Sequence, residues 1–139
     1  MRAVIDTSVF VSFLLSPRGA GAWLIALWRD RRFEAVVSPA LHQELVEVME
    51  RPEIAPKVDA QRRIALLYRL RHDALWAAGK LDTEGALADS DDDFLLGAAL
   101  EREAQFIVTW DGKLLEQGNC QGAQIVTPDQ FIALLVRSG

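Results

Sequence analysis

The chain has little of what a secreted or zinc-binding protein needs. Its 139 residues include one cysteine, Cys120, which excludes an intrachain disulfide and favours a reducing, cytosolic setting. The two histidines, His42 and His72, lie on separate predicted helices, and with a lone cysteine they offer no ligand set for zinc. A G-x-S-x-G sequence, typical of serine hydrolases, is absent. The glycines at Gly19 and Gly21 lack the lysine of a phosphate-binding loop.

Long apolar runs and segments of biased composition are absent as well. The longest apolar runs fall well short of the ~18 residues that span a membrane. The N-terminus has one arginine and then Asp6 within its first apolar stretch, which is not the pattern of a secretory signal. Hydrophobic residues make up 50% and charged residues 25%, as in ordinary globular proteins. We therefore expect one domain covering residues 1–139, located in the cytoplasm and without a membrane partner.

The chain also lacks an excess of positive charge. Its net charge is -5 and its pI about 5.0, which argues against a general nucleic-acid coat protein. An enzyme that binds nucleic acid through a local basic patch or a metal ion remains compatible with these values. Arginines do cluster in two places along the chain: at Arg29, Arg31 and Arg32, and at Arg62, Arg63, Arg69 and Arg71.

Strand and helix patterns alternate through the sequence. Apolar runs predict strands at residues 2–5, 33–37, 105–109 and 124–126, with a weaker strand within 80–87. Helices are predicted at residues 8–15 after a Thr7 or Ser8 cap, 21–31, 39–50, 59–78, from an Asp89 or Ser90 cap to 103, and from 128, with a helical turn at 113–115. This alternation predicts an α/β fold with a mostly parallel sheet of about four or five strands, flanked by helices on both faces.

Acidic residues follow two of the predicted strands. Asp6 comes directly after the first strand, and Asp111 lies just beyond the strand that ends at Thr109. Ligand sites of such sheets lie beyond the carboxyl ends of the strands, so both carboxylates are expected at that edge. On the helix that follows the second strand, Glu44 borders the apolar stripe, whereas Glu47 points to the opposite side.

A fourth candidate comes from the segment DSDDDFLLGAAL at residues 89–100, which has four aspartates within five residues. On the predicted helix, Asp93 shares a face with Leu96 and Gly97, while Asp91 and Asp92 project elsewhere. Each acid alone could be a turn residue, a rim residue or a partner of a helix N-terminus. Inward acids on one sheet edge can remain ionised together around a divalent cation, and ligands that are all oxygen select Mg2+ or Mn2+.

The segments VIDTSVFVSFLL, VVSPALHQELVEVMERP, DSDDDFLLGAALEREAQFIVTWDGKLL and IVTPDQFIALL, in this order, resemble a PIN domain. The resemblance is to the group that includes VapC-type toxins of toxin–antitoxin systems. It covers nearly the whole chain, and the ordered set of motifs is more specific than any one of them. The sequence departs from the family pattern at Trp110, where a small or polar residue is common, and in its weak third strand near Leu81.

The resemblance implies a Mg2+- or Mn2+-dependent ribonuclease that cleaves single-stranded RNA, acting as the toxin of a toxin–antitoxin pair. Its partners would be RNA, a cognate antitoxin and a second copy in a homodimer. The residues implied as catalytic and metal-binding are Asp6, Glu44, Asp93 and Asp111. Accessory residues are a hydroxyl group from Thr7, Ser8 or Thr109, and Asp92, which is the alternative to Asp93 as third ligand. The number of metal ions, one or two, stays open.

Two other classes compete with this interpretation. A phosphatase with an aspartate nucleophile also has an aspartate after its first strand, but it needs a second one two residues later, where Ser8 stands. A non-catalytic phospho-acceptor or metal-binding interaction domain would need a lysine after a late strand. That lysine could only be Lys113, and the inward Glu44 would then be unexplained.

Overall fold

The computed structural model describes residues 1–79 and 93–138. Within these residues the strands are β1 (Arg2–Ile5), β2 (Glu34–Val37), β3 (Leu75–Trp76), β4 (Phe106–Val108), β5 (Asn119–Cys120) and β6 (Ala123–Val126). The helices are α1 (Thr7–Leu15), α2 (Ala20–Arg29), α3 (Pro39–Met49), α4 (Ala60–Asp73), α5 (Asp93–Glu101), α6 (Gly112–Gln117) and α7 (Pro128–Ser138), with a 3-10 turn at Ala55–Lys57.

The strands of the described residues form one sheet in the order β3-β2-β1-β4-β6-β5. All neighbouring strands are parallel except β5, which runs antiparallel to β6. The predicted α/β fold with a mostly parallel sheet flanked by helices is confirmed, with six strands among residues 1–79 and 93–138. The chain order reverses at β1, because β2 lies on one side of it and β4 on the other.

The central strands are apolar throughout because both faces of the sheet are covered. Val4 of β1 pairs with Val36 of β2 and with Ile107 of β4, and all three side chains are buried. Continuous burial of this kind is typical of parallel strands between helical layers. On α7, Phe131 contacts the rings of Phe33 and Phe106 with centroid distances of 5.0 and 5.3 Å, which ties the last helix to the sheet.

Local sequence signals account for several helix starts. The Ser38 hydroxyl accepts a hydrogen bond from the Leu41 amide at 3.3 Å, and Pro39 occupies the first helical position of α3. The predicted cap of α1 is wrong, because Asp6 rather than Thr7 or Ser8 occupies the N-cap position. The Asp6 side chain makes no capping hydrogen bond, which leaves its carboxylate for other contacts.

Two sequence predictions are corrected by the sheet. The helix predicted at residues 59–78 ends at Asp73, and Leu75–Trp76 forms β3, whose ladder continues as Ala77 N donates to Val37 O at 2.8 Å. Residues 119–120, where the sequence predicts no strand, form β5. The strand predicted within residues 80–87 lies outside the described residues.

No single helix in the described ranges is long and apolar enough to cross a membrane. The pair α1 and α2 reaches the required length and composition only when taken together, across a bend of 103°.

Candidate active site at the carboxyl edge of the sheet

The candidate site lies where the strand order reverses. Asp6 follows β1, and its amide donates to Val108 O of β4 at 2.9 Å, so the two strands stay paired up to this point. Beyond this point the two strands diverge. The chain continues into α1 after β1 and into the loop Thr109–Asp111 after β4. A crevice at such a reversal is where ligands of open α/β sheets bind.

Asp6 is the buried centre of this edge, with a relative exposure of 7%. Its Oδ2 accepts a hydrogen bond from Thr109 Oγ1 at 2.7 Å and a second from Ser8 Oγ at 3.1 Å. Both hydroxyls favour the ionised form, but burial outweighs them and raises the pKa of Asp6 above its usual value. The nearby Asp111 carboxylate raises this pKa further. Asp6 is therefore fixed in orientation and poor in positive partners.

The same hydroxyls also hold the loop after β4. Thr109 Oγ1 accepts from the Asp111 amide at 3.0 Å, and Ser8 Oγ accepts from the Trp110 amide at 3.3 Å. Asp111 itself caps α6, since its Oδ1 accepts from the Lys113 amide at 2.9 Å. Asp111 thus does act as a turn residue, one of the alternative roles named for these acids. In this position its carboxylate lies close enough to Asp6 to raise the pKa of Asp6.

Glu44 approaches Asp6 from α3. As the helical phase predicts, Glu44 is partly buried, whereas Glu47 is exposed. Burial raises the pKa of Glu44, and the negative charge of Asp6 raises it further. The Thr7 side chain opposes this shift, although its buried Oγ1 lies within hydrogen-bond geometry of no group in the described residues. The Thr7 hydroxyl is therefore a neighbour of Glu44 without a hydrogen bond to it.

Asp93 is the first residue of α5, a helix that contacts β1, β2, β4 and β6. Because α5 runs toward the amino end of β4, its first turn lies on the side of the carboxyl edge. Asp93 is 8% exposed, and Leu96 and Gly97 on its helix are also buried, in agreement with the predicted inward face. Asp92 lies outside the described residues.

Whether these carboxylates suit a divalent cation depends on their donor type and their spacing. Within residues 1–79 and 93–138, no group of three or more Asp, Glu, His or Cys side chains lies close enough to hold a metal ion. The structure instead brings Asp6 within electrostatic reach of Glu44 and of Asp111, but does not join Asp93 to them in one cluster. The site still fits Mg2+, which keeps several waters and takes only one or two carboxylates.

Sequence reasoning missed one residue near the site. Arg51 lies two residues beyond the end of α3 and lowers the pKa of Glu44, against the larger effect of burial. The signal was present in the spacing, because residues seven apart return to nearly the same face of a helix. Arg51 is exposed, so it places a positive charge near the acidic edge that the solvent still screens.

Comparisons with known proteins show the fold and the family of the chain. No curated protein is significantly similar in sequence. In structure, the chain is similar to a chain in the crystal structure of VapBC2 from Rickettsia felis bound to a DNA fragment from their promoter. The TM-score is 0.59 at 14% identity, covering 91% of this chain and 98% of that one, which supports the fold. A family model described as PIN domain matches residues 2–113. The chain thus belongs to the PIN domain family, whose members are generally nucleases.

Proposed function

We propose that this chain is a Mg2+- or Mn2+-dependent endoribonuclease that cleaves phosphodiester bonds of single-stranded RNA. The observation that carries the proposal is the position of Asp6, buried at the strand reversal and within electrostatic reach of Glu44 and Asp111. Family membership supports it, because PIN domains typically use divalent metal ions. Carboxylates with raised pKa values and few positive partners are also a common mark of functional sites.

In this proposal Asp6, Glu44, Asp93 and Asp111 would hold the cation, one or two of them directly and the others through the waters that Mg2+ keeps. When bound, it would lower the pKa of a water molecule and neutralise phosphodiester oxygens. Thr109 and Ser8 keep one oxygen of Asp6 in place by donating to it, at 2.7 and 3.1 Å. Positioning groups of this kind commonly tune the affinity of a metal site.

The hydroxyls of this edge act on both sides of the crevice. Ser8 and Thr109 each donate to Asp6 and each accept from an amide of the loop after β4. The loop and the carboxylate therefore move together, which limits the reorganisation needed when charge develops at the phosphate. The Thr7 hydroxyl is buried next to Glu44, so its proposed role is to orient that carboxylate rather than to contact the substrate.

We further propose that the chain is a cytoplasmic toxin, a single PIN domain over residues 1–139 that forms a homodimer and binds a cognate antitoxin. The support comes from the similar Rickettsia felis chain, which belongs to a structure of VapBC2 bound to a DNA fragment from their promoter. Co-purification with the product of an adjacent reading frame tests the partner, and light scattering of the purified chain tests the dimer. A monomer that binds no such product contradicts this part of the proposal.

The activity is tested with the purified chain and labelled RNA oligomers of mixed sequence. We expect cleavage with Mg2+ or Mn2+ and none with excess chelator, with an Asp6→Asn variant as the inactive control. Melting curves provide a second measurement, because a ligand at ten times its Kd stabilises the native state by about 1.4 kcal/mol. Cleavage that persists undiminished in chelator, or a melting temperature unmoved by millimolar Mg2+ and Mn2+, argues against the metal mechanism.

A further inference from the structure

Trp110 is a large apolar side chain at the acidic edge. It stands between Thr109, which hydrogen-bonds Asp6, and Asp111, which acts on the pKa of Asp6. Its relative exposure is 40%, whereas Trp28 is buried in the core. An exposed indole leaves a large apolar area in water, so its position next to the candidate site calls for a physical reason.

The backbone of Trp110 is held on both sides. Its amide donates to Ser8 Oγ at 3.3 Å, and the next amide, of Asp111, donates to Thr109 Oγ1 at 3.0 Å. Both accepting hydroxyls also donate to Asp6. The point from which the indole projects is therefore fixed relative to the buried carboxylate, as expected for a residue that positions a ligand rather than one in a mobile loop.

The fold itself makes little use of the ring. Among the described residues, the Trp110 indole takes part in no aromatic contact, and its Nε1 donates to no acceptor. Trp76 offers a contrast, since its Nε1 donates to Leu70 O at 2.9 Å and its ring lies 5.6 Å from that of His42. Trp76 is used by the fold, whereas the ring of Trp110 is available to a ligand.

An acidic site repels nucleic acid, and an aromatic ring can add affinity that does not depend on charge. The carboxylates at this edge and the net charge of -5 repel a polyanion, so uncharged contacts add affinity that the charges at this edge do not supply. Bases of single-stranded nucleic acid expose π faces, and stacking on an aromatic side chain is tolerant of sequence. Paired bases of a duplex do not expose these faces, so a stacking residue also selects single strands.

Building on the proposed ribonuclease function, we propose that the indole of Trp110 stacks on an unpaired base next to the scissile phosphodiester. Trp110 is then a determinant of specificity for single strands and touches the substrate rather than the metal. Its contribution is to affinity more than to the chemical step, since it lies beside the carboxylates and offers no proton or charge to the reaction.

The test compares Trp110→Leu, Trp110→Phe and a control, Trp23→Leu, which removes an exposed tryptophan from α2. Binding of a fluorescein-labelled RNA oligomer is measured by anisotropy in chelator, and KM and kcat are measured in Mn2+. We expect Trp110→Leu to raise Kd and KM by roughly 10-fold or more with little change in kcat, as loss of one stacked base predicts. Trp110→Phe should restore most of the affinity, and Trp23→Leu should match the parent.

A second arm removes the base instead of the ring. Oligomers with an abasic nucleotide at each position in turn should reveal one position where the parent loses affinity, and Trp110→Leu should lose nothing more there. Melting curves verify that each variant is folded, and the abasic scan of the parent decides the matter if Trp110→Leu is not. Equal binding by Trp110→Leu and Trp23→Leu, or a flat abasic scan, overturns the proposal.

These measurements separate the two proposals. A parent chain that binds the oligomer without cleaving it in Mg2+ or Mn2+ defeats the ribonuclease proposal, while the anisotropy data still decide the role of Trp110. A parent that cleaves, with Trp110→Leu unchanged in KM, defeats the stacking proposal alone. A parent that neither binds nor cleaves defeats both.

Discussion

The two edges of the sheet treat charge in opposite ways. At the amino edge, where β1 and β2 begin, Arg2 Nε lies 3.2 Å from Glu34 Oε1, and at the end of α4 Arg69 Nη1 lies 2.9 Å from Asp73 Oδ2. These acids meet bases and stay in contact with solvent. At the carboxyl edge, Asp6 is buried and accepts hydrogen bonds from hydroxyls, and Glu44 is partly buried and lies within electrostatic reach of Asp6.

The charged groups of the amino edge are compatible with a stable fold, whereas the carboxylates of the carboxyl edge are better suited to a chemical role. Exposed ion pairs are inexpensive and contribute at most about 1 kcal/mol each. Buried carboxylates without basic partners destabilise the native state, so the fold keeps them for another reason. Substitutions at the two edges should therefore differ in sign as well as in size.

The largest effect is expected on α3. Glu44→Gln keeps the shape of the side chain but removes its charge from the neighbourhood of Asp6, and we expect cleavage to be abolished. Glu47→Gln is the matched control: Glu47 is exposed and its Oε1 accepts from Gln43 Nε2 at 3.2 Å, a bond that glutamine can keep. Initial rates of RNA cleavage in Mn2+ measure both. Equal losses in the two variants contradict the assignment of Glu44 to the site.

At α5 we expect a smaller but still large effect. Asp93→Asn retains the side chain of a helix start and removes one ligand charge, so activity should fall about 100-fold, equivalent to ~2.7 kcal/mol of transition-state stabilisation. Asp91→Asn should stay within a few-fold of the parent, because the sequence predicts a helical phase in which its side chain points away from that of Asp93. Calorimetry with Mn2+ provides the independent measurement. The assignment is overturned if the Asp91 variant loses metal and the Asp93 variant keeps it.

Stability should change in the opposite direction at Asp6. Its pKa is raised in the native state by burial, so the native state binds protons more tightly than the unfolded chain. Ionisation therefore costs stability as the pH rises from the ordinary value of about 3.9 through the raised value, and the loss persists above it. Asp6→Asn, in chelator, should gain about 1 kcal/mol at pH 8, a size common for such substitutions.

This gain should shrink as the pH falls toward the ordinary pKa of about 3.9, because the parent then loses progressively less stability through ionisation of Asp6 in the native state. Urea unfolding at pH 8 and at pH 4.5 measures the difference. A variant less stable than the parent at both pH values would falsify the electrostatic account, since it would mean that the hydrogen bonds from Thr109 and Ser8 outweigh the cost of burial.

The smallest effect is expected at the amino edge. Glu34→Gln breaks the pair with Arg2, but both side chains are well exposed, so the free energy of unfolding should fall by less than about 1 kcal/mol. Salt should reduce the effect further, because exposed charges are screened. Urea unfolding in 0.05 M and 1 M NaCl tests this. A loss that exceeds the change at Asp6 would remove the contrast between the two edges.

Much of this contrast could be predicted from the sequence. The apolar runs before Asp6 and Asp111 fix both residues at one sheet edge, and the helical phase separates Glu44 from Glu47. What the sequence did not predict depends on tertiary contacts. Leu75 and Trp76 suit a helix by propensity, but they pair with the unpaired backbone groups of β2 as a parallel strand. The ladder continues with a hydrogen bond of 2.8 Å from Ala77 N to Val37 O.

Two local features could not be predicted from the helical and strand periodicities either. Gln121 and Gly122 have φ values of 51° and 91°, which connect β5 to β6 as a tight hairpin. Two-residue hairpin turns of this kind need positive φ at both positions, and glycine at the second position favours them. The convergence of Ser8 and Thr109 on one oxygen of Asp6 is different, because it depends on the register of β1 against β4, which no local pattern specifies.

The hairpin and β3 have a consequence for how the chain behaves among its own copies. The outermost strands of the described sheet, β3 and β5, have two residues each, so either border exposes only a very short row of free amides and carbonyls. A strand from another molecule can form few ladder bonds there, which protects parallel sheets against self-association by strand addition.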